Sequence, residues 1–157
     1  MQIFLDSADL EALNKYKNII SGITTNPAIM AQSKASQEQR LKDLAQVAPN
    51  LPISGEVIYA RNIEQVCEDA RKIAAIASNI VVKIPGNLVG MGCISKLKAE
   101  GLTLNVTALM TFRQLALAAQ LGADYVSQFF CRARDAGLDS LREVAWAREF
   151  IDQNQLP

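Results

Sequence analysis

Six short apolar runs recur along this chain, and most are followed by a stretch with helical spacing. The runs are QIFLDS (2–7), GITTNP (22–27), PISGEV (52–57), NIVVKIP (79–85), LTLNVTAL (102–109) and ADYVSQF (123–129). Leu10, Leu13 and Tyr16 fall on one helical face after the first run, and Leu41, Leu44 and Ala45 after the second. Ile63, Val66, Ala70, Ile73 and Ala74 do so after the third, and Leu115, Ala118 and Leu121 after the fifth. Asp6-Ser7-Ala8-Asp9 reads as a helix start, with an N-cap candidate and early acids. Gly101 and Gly122 stand where helices should end, just ahead of a new strand. A last helix is expected from about Asp139 to Asp152.

Strand alternating with helix predicts βα units on a parallel sheet. No G-x-G-x-x-G follows the first run and no G-x-x-x-x-G-K-[ST] occurs, so neither nucleotide fingerprint applies. An open doubly wound sheet and a (β/α) barrel remain. At 157 residues the chain reads as one domain, residues 1–157, without a linker, low-complexity segment or short internal repeat.

Composition narrows the chemistry. Half the residues are apolar, enough for a sizeable core, and the 16 basic and 16 acidic residues cancel. With no basic run, nucleic-acid binding has no electrostatic footprint. No apolar stretch reaches the length of a membrane span. The N-terminus, MQIFLDSADLEA, lacks the regions of a secretory signal, so a cytoplasmic location is expected. Cys67, Cys93 and Cys131 are too few and too scattered for a disulfide framework or a zinc site, and are expected to be reduced thiols in or near a core. Histidine is absent, which removes Ser-His and Cys-His catalysis, histidine metal sites and histidine general bases from what the chain can do alone. Lysine, carboxylates, hydroxyls and amides are left.

The fourth run is apolar and mostly β-branched except for Lys83, and reads as a strand buried on both faces. An unpaired buried ammonium costs several kcal/mol. Lys83 must therefore reach out to solvent, be paired, or give up its proton. Side chains alternate faces along a strand. Lys83 then shares a face with Val81 and Pro85, Glu56 with Ser54, Asn105 with Thr107, and Ser127 with Tyr125 and Phe129. Asp6 goes with Phe4, and Thr24 with Asn26. In strand after strand one face is largely aliphatic, and the other carries a polar group toward the C-terminal end. A barrel explains this: the aliphatic face meets the helices, and the other points inward, toward a site at the C-terminal mouth.

Asp6, Thr24, Asn26, Glu56, Lys83, Asn105, Thr107 and Ser127 then converge on one volume. A desolvated or cation-flanked lysine amine is nucleophilic and can form a Schiff base with a carbonyl carbon, which permits carbon–carbon cleavage without metal or cofactor. Asp6 and Glu56 can move protons, Glu56 through a water, while Asn26, Asn105 and Thr107 hold hydroxyls or that water. Each residue alone has a plainer reading. Lys83 can be a paired strand lysine, Glu56 its structural partner, and Asp6 a helix N-cap. Asn105 and Thr107 can be strand-end hydrogen bonders, and Thr24-Thr25-Asn26-Pro27 a turn.

LDSAD (5–9), GITTNPAIM (22–30), ISGEV (53–57), IVVKIP (80–85), KAEGLTLNVTAL (98–109) and SQFFCR (127–132) together resemble the transaldolases, and most closely their short bacterial branch, which also contains fructose-6-phosphate aldolases. The resemblance runs end to end and in order. It implies a (β/α)8 TIM-type barrel and a cofactor-free class I transaldolase of the pentose phosphate pathway. Such an enzyme moves a dihydroxyacetone unit between sugar phosphates: fructose 6-phosphate, sedoheptulose 7-phosphate, erythrose 4-phosphate and glyceraldehyde 3-phosphate. It also implies a homo-oligomer, with no nucleic-acid or membrane partner. Lys83 matches the family's Schiff-base lysine, Asp6 its acid/base aspartate and Asn26 its substrate-positioning asparagine. Glu56 and Thr107 match the pair holding the catalytic water. Asn105 and Ser127 match polar residues lining the substrate site, where the face alternation also places Thr24 as a substrate-binding candidate, and Arg132 matches an arginine of the phosphate grip. Glu56, Ser127 and Phe129 are the transaldolase-like choices where the aldolases look like Gln, Ala and Tyr. Aldol cleavage of fructose 6-phosphate and a non-catalytic truncated remnant are the alternatives. Gln128 replaces a familiar proline on the outward face. The segment 86–97 reads as a loop that departs from the family form, with Gly86 and Asn87 where a small hydroxyl residue is often seen.

Only about six βα units are present, against eight in the family barrel. The barrel is expected to be incomplete, lacking the last two units, with strands one and six as free edges.

Overall fold

The computed structural model describes residues 2–58 and 61–157. All six apolar runs form strands: β1 (Phe4–Asp6), β2 (Gly22–Thr24), β3 (Ile53–Glu56), β4 (Ile80–Pro85), β5 (Leu104–Leu109) and β6 (Tyr125–Gln128). They make one sheet in the order β1-β2-β3-β4-β5-β6, every neighbouring pair parallel. Among the described residues no ladder joins β6 back to β1. The sheet nevertheless curls far enough for Phe4 on β1 to meet Tyr125 on β6 edge to face, with ring centroids 5.8 Å apart. This is an incomplete (β/α) barrel rather than a flat doubly wound sheet.

The longer connecting helices are α1 (Leu10–Tyr16), α3 (Gln37–Val47), α4 (Ile63–Ala74), α7 (Phe112–Gln120) and α9 (Ser140–Gln153). Short helices α2 (Pro27–Met30), α5 (Leu88–Met91), α6 (Ile94–Ala99) and α8 (Phe130–Asp135) lie at or near strand ends. The helical faces read from spacing pack on the sheet's outer side: Leu41 and Leu44 of α3, Val66 and Ala70 of α4, and Leu115 and Ala118 of α7 are buried with Ile23, Ile53, Val82, Leu104 and Val106. Tyr16 and Ile63, at helix ends, are exposed. Gly101 and Gly122 do terminate α6 and α7, at φ of +83° and +100°. At each, paired turn bonds (Leu102 N–H to Leu97 O, Gly101 N–H to Lys98 O; Ala123 N–H to Ala118 O, Gly122 N–H to Ala119 O) close the helix and aim the chain into the next strand. A polar clip holds that end of the sheet: Lys98 Nζ reaches both Asp124 carboxylate oxygens at 2.8 and 2.7 Å, and Asp124 Oδ2 also accepts from Leu104 N–H at 2.7 Å.

Two local expectations are corrected. The first helix is capped by Asp9, whose Oδ1 accepts from Glu11 N–H at 2.9 Å, and not by Asp6. The segment 86–97 is not a loop: it is α5 and the start of α6, and Asn87 caps α5 by accepting from Gly90 N–H at 2.9 Å. Asparagine serves an N-cap as well as a small hydroxyl does, so the replacement keeps the turn.

No helix of the described residues is long and apolar enough to cross a membrane.

Candidate active site

Register sets the site. Glu56 pairs with Lys83 across β3 and β4, and Lys83 with Asn105 across β4 and β5, so three polar side chains stand in one row on the sheet's concave side. Lys83 is 6% exposed. It neither reaches solvent nor stands alone. Its Nζ donates to the Thr25 carbonyl at 2.9 Å and lies 3.3 Å from Glu56 Oε2. Low accessibility on both sides, 8% for the lysine side chain and 14% for the glutamate, makes this a largely desolvated pair.

Asn105 continues the row. Its Oδ1 accepts from Ser127 Oγ at 2.7 Å, and its Nδ2 makes a long 3.4 Å contact with Ser54 Oγ. Ser54 is buried one inward step below Glu56. Thr107 is 1% exposed, and its Oγ1 has no protein partner. A buried hydroxyl left open in this way calls for a water or a ligand atom.

The end of β5 is bent to make this possible. Val106 pairs with Val126 and Leu109 with Gln128, leaving one extra residue on β5. Ala108 absorbs it at φ +60°, a conformation uncommon outside glycine. The bulge keeps Thr107 on Asn105's side and puts Leu109 on the outward side with Gln128, whose Nε2 donates to Met110 O at 2.9 Å.

The remaining residues sit nearer the rim. Thr24 is half-buried and pairs with both Asp6 and Ser54. Asn26 caps α2, its Oδ1 accepting from Ile29 N–H at 2.9 Å, which leaves its amide N–H₂ for other partners. Asp6, at the end of β1, is exposed, and its carboxylate has no hydrogen-bond or ion-pair partner among the described residues. Phe129 follows β6 and is half-buried; exposed Arg132 lies over its ring, 4.7 Å from the centroid. Lys83 with Glu56 and Asn105 with Ser127 thus form two contacting pairs in adjacent register, Thr107 stands in the next inward position of Asn105's strand, and Asp6 and Arg132 lie open to solvent.

Two residues of the inner network were not among the sequence candidates. Thr25 donates from Oγ1 to Ser54 O at 2.7 Å and supplies the carbonyl on Lys83. Ser54 accepts that bond through its backbone and meets Asn105 through its side chain. Ser54's place beside Glu56 in the alternation was the available signal. Thr25 had none, because face alternation tracks side chains and its contact with Lys83 is through the main chain.

Among the described residues no group of three or more metal-ligating side chains comes together. The arrangement can present a primary amine to a carbonyl carbon, with a carboxylate beside it and hydroxyl and amide groups around it.

Known proteins resemble this chain in fold and in sequence. The fold resembles thiamine phosphate pyrophosphorylase from Pyrococcus furiosus, with a TM-score of 0.59 over 97% of this chain and 68% of that one, at 14% identity; this likeness concerns the fold alone. The chain is 43% identical over 147 residues to a probable transaldolase of Desulfitobacterium hafniense, covering 92% of this chain and 68% of the relative. It is 37% identical over 143 residues to one from Exiguobacterium sp. AT1b (90% and 66%), and 35% over 159 residues to one from Exiguobacterium sibiricum (100% and 74%). The chain thus spans about two thirds to three quarters of the length of these relatives. The family model for transaldolase/fructose-6-phosphate aldolase matches residues 3–155, and the chain belongs to that family.

Proposed function

We propose that this chain carries the imine-forming centre of a class I transaldolase acting on sugar phosphates. The observation that carries the reading is the buried Lys83 amine, held between a carbonyl and a carboxylate and facing a wall of amide and hydroxyl groups. Lys83 Nζ, as the free amine, adds to the C2 carbonyl of a ketose phosphate. The carbinolamine loses water to give an iminium ion. The C3–C4 bond then breaks, its electron pair moving toward the iminium nitrogen to form an enamine. Asp6 takes the C4 hydroxyl proton, and the aldose phosphate leaves as an aldehyde. The enamine adds to an acceptor aldehyde, Asp6 returns the proton, and a water held by Glu56 and Thr107 releases the product. From fructose 6-phosphate the leaving aldehyde is glyceraldehyde 3-phosphate, and erythrose 4-phosphate as acceptor gives sedoheptulose 7-phosphate. Asn26, Asn105, Thr24 and Ser127 hold the sugar hydroxyls, Phe129 walls the enamine, and Arg132 meets the phosphate. No metal or cofactor is needed.

Borohydride reduction in the presence of fructose 6-phosphate tests this. Peptide mass spectrometry should place a reduced adduct on Lys83. An adduct on Lys96 or Lys98 sinks the assignment, and none at all marks a chain that keeps the residues without the activity. Phe129 favours transfer over simple aldol cleavage, because it offers no phenol to orient water. Free dihydroxyacetone released without an acceptor would favour the aldolase reading instead.

A further inference from the structure

We infer that Thr25 is a positioning residue for Lys83, acting through a backbone carbonyl that its own side chain locks in place. The inference rests on the imine reading of Lys83. The reacting form of Lys83, the free amine rather than the paired ammonium, has two N–H groups and one lone pair in tetrahedral arrangement. The Thr25 carbonyl at 2.9 Å takes one of these hydrogens and is the hydrogen-bond acceptor of Lys83 among the described residues, while the Glu56 carboxylate stands beside the nitrogen, Oε2 at 3.3 Å. That bond fixes one N–H direction, and the carboxylate bounds one side of the space left to the lone pair. Without the carbonyl, the amine rotates freely about its last carbon bond, and attack geometry is lost for much of the time.

That carbonyl is not held by the sheet. β2 ends at Thr24, and its ladder with β3 stops at the Thr24–Ser54 pair. One residue later the side chain takes over. Thr25 Oγ1 donates to Ser54 O at 2.7 Å and ties the chain to β3 past the point where the ladder stops. On the far side, Asn26 is fixed by its bond to Ile29 N–H. The peptide between Thr25 and Asn26 is thereby anchored at both ends, with Thr25 fully buried. A buried hydroxyl is costly unless bonded, and here its one bond fixes the group that aims the amine.

The test reads Lys83 with a small aldehyde that needs no sugar site. The full chain is treated with formaldehyde and cyanoborohydride, and methylation of Lys83 is measured by peptide mass spectrometry against exposed Lys34 in the same digest. Thr25→Val should lower the Lys83:Lys34 rate ratio by about tenfold, a modest share of what a misplaced reacting group costs. Thr25→Ser keeps the hydroxyl and should restore the ratio to within about threefold of wild type. A ratio in Thr25→Val equal to wild type overturns the inference, as does a higher one, whether from unfolding or from a freed amine. So does Thr25→Ser falling as far as Thr25→Val. The imine reading fails by a different sign: wild-type Lys83 that methylates but traps no dihydroxyacetone under borohydride.

Discussion

Replacing Glu56 by glutamine and Lys83 by methionine, singly and together, measures what the buried pair contributes to stability. At 3.3 Å and an effective dielectric of about 20, the gross attraction is about 5 kcal/mol. Desolvation of the two ions offsets several kcal/mol of it. Glu56→Gln leaves the more enclosed ammonium facing only the Thr25 carbonyl, and should destabilise the chain by about 2–3 kcal/mol. This falls below the usual range for breaking a buried pair because the glutamate side chain keeps 14% of its exposure. Lys83→Met leaves a carboxylate near the rim that water can reach, and should cost about 1–2 kcal/mol. The double variant has no unpaired charge and should also cost about 1–2 kcal/mol, giving a coupling of about 2–3 kcal/mol. Urea unfolding followed by circular dichroism supplies the free energies, with the slope checked for constancy across the variants. Salt decides the interpretation. A pair shielded from solvent keeps its coupling in 1 M NaCl, where the screening length is about 3 Å. A coupling below about 0.5 kcal/mol, or one that 1 M salt removes, would mean that both ions are hydrated and that the lysine is not held as described.

Three further outcomes follow from local geometry. Burial, with the neighbouring Cys67 thiol, pushes the Cys93 thiol up to about 12, above the ~8.5 of an unfolded cysteine. Its folded pKa is raised, so its stabilising contribution is complete below pH ~8.5 and is lost as pH climbs toward 12, by up to about 1.4 kcal/mol per pH unit. Cys93→Ala should flatten the fall in urea midpoint between pH 8 and 9.5, and an unchanged slope refutes the assignment. Ala108→Gly relieves the φ of +60° and should raise stability by about 0.5 kcal/mol, read as a higher urea midpoint; a lower midpoint counts against strain at the bulge. Gly90→Ala would set a methyl 1.9 Å from the Pro85 carbonyl oxygen, a backbone atom that cannot swing away, and should cost about 2–3 kcal/mol in the same assay. A loss under about 0.5 kcal/mol would show that α5 shifts freely.

Much of this was legible because a βα chain writes its topology in one dimension. Each apolar run became a strand, and successive strands became neighbours, so period-two alternation was enough to place Glu56, Lys83 and Asn105 on one side of the sheet. Register, which the sequence does not state, then made them adjacent. The alternation failed where the backbone left the regular strand. Ala108 inserts one residue into β5 and turns Leu109 outward, and nothing in LTLNVTAL announces it. Asn26 and Asn87 were legible as polar residues at strand ends, but their side chains serve as helix caps, which single out a residue only once the helix start is known. Asp6 and Asp9 were indistinguishable as caps by type, and the helix phase chose Asp9. Thr25 escaped for a different reason. Its contact with Lys83 is through the main chain, which every residue possesses, and only geometry selects one carbonyl among many.

The distribution of burial across the sheet divides the proposed chemistry in two. Among the described residues β3, β4 and β5 each have hydrogen-bonded neighbours on both sides and are buried along nearly their whole length, whereas β1 and β6 have one neighbour each and no fully buried residue. Lys83, Glu56, Asn105 and Thr107 all come from the central three strands. Asp6 comes from β1 and Arg132 from the helix after β6, and both are exposed. Forming the imine asks mainly for an aimed amine and nearby hydrogen-bonding groups, which the centre supplies. Moving a proton during carbon–carbon cleavage and gripping a phosphate ask for edge groups held in a dry site, and electrostatic contributions shrink as water enters. Imine capture should therefore survive in this chain better than transfer does. Borohydride trapping with dihydroxyacetone, set beside transfer from fructose 6-phosphate to erythrose 4-phosphate on one sample, compares the two demands directly. Transfer at a rate matching imine formation would mean that Asp6 and Arg132 work well from an exposed rim, and that burial of the central strands does not set the order of difficulty.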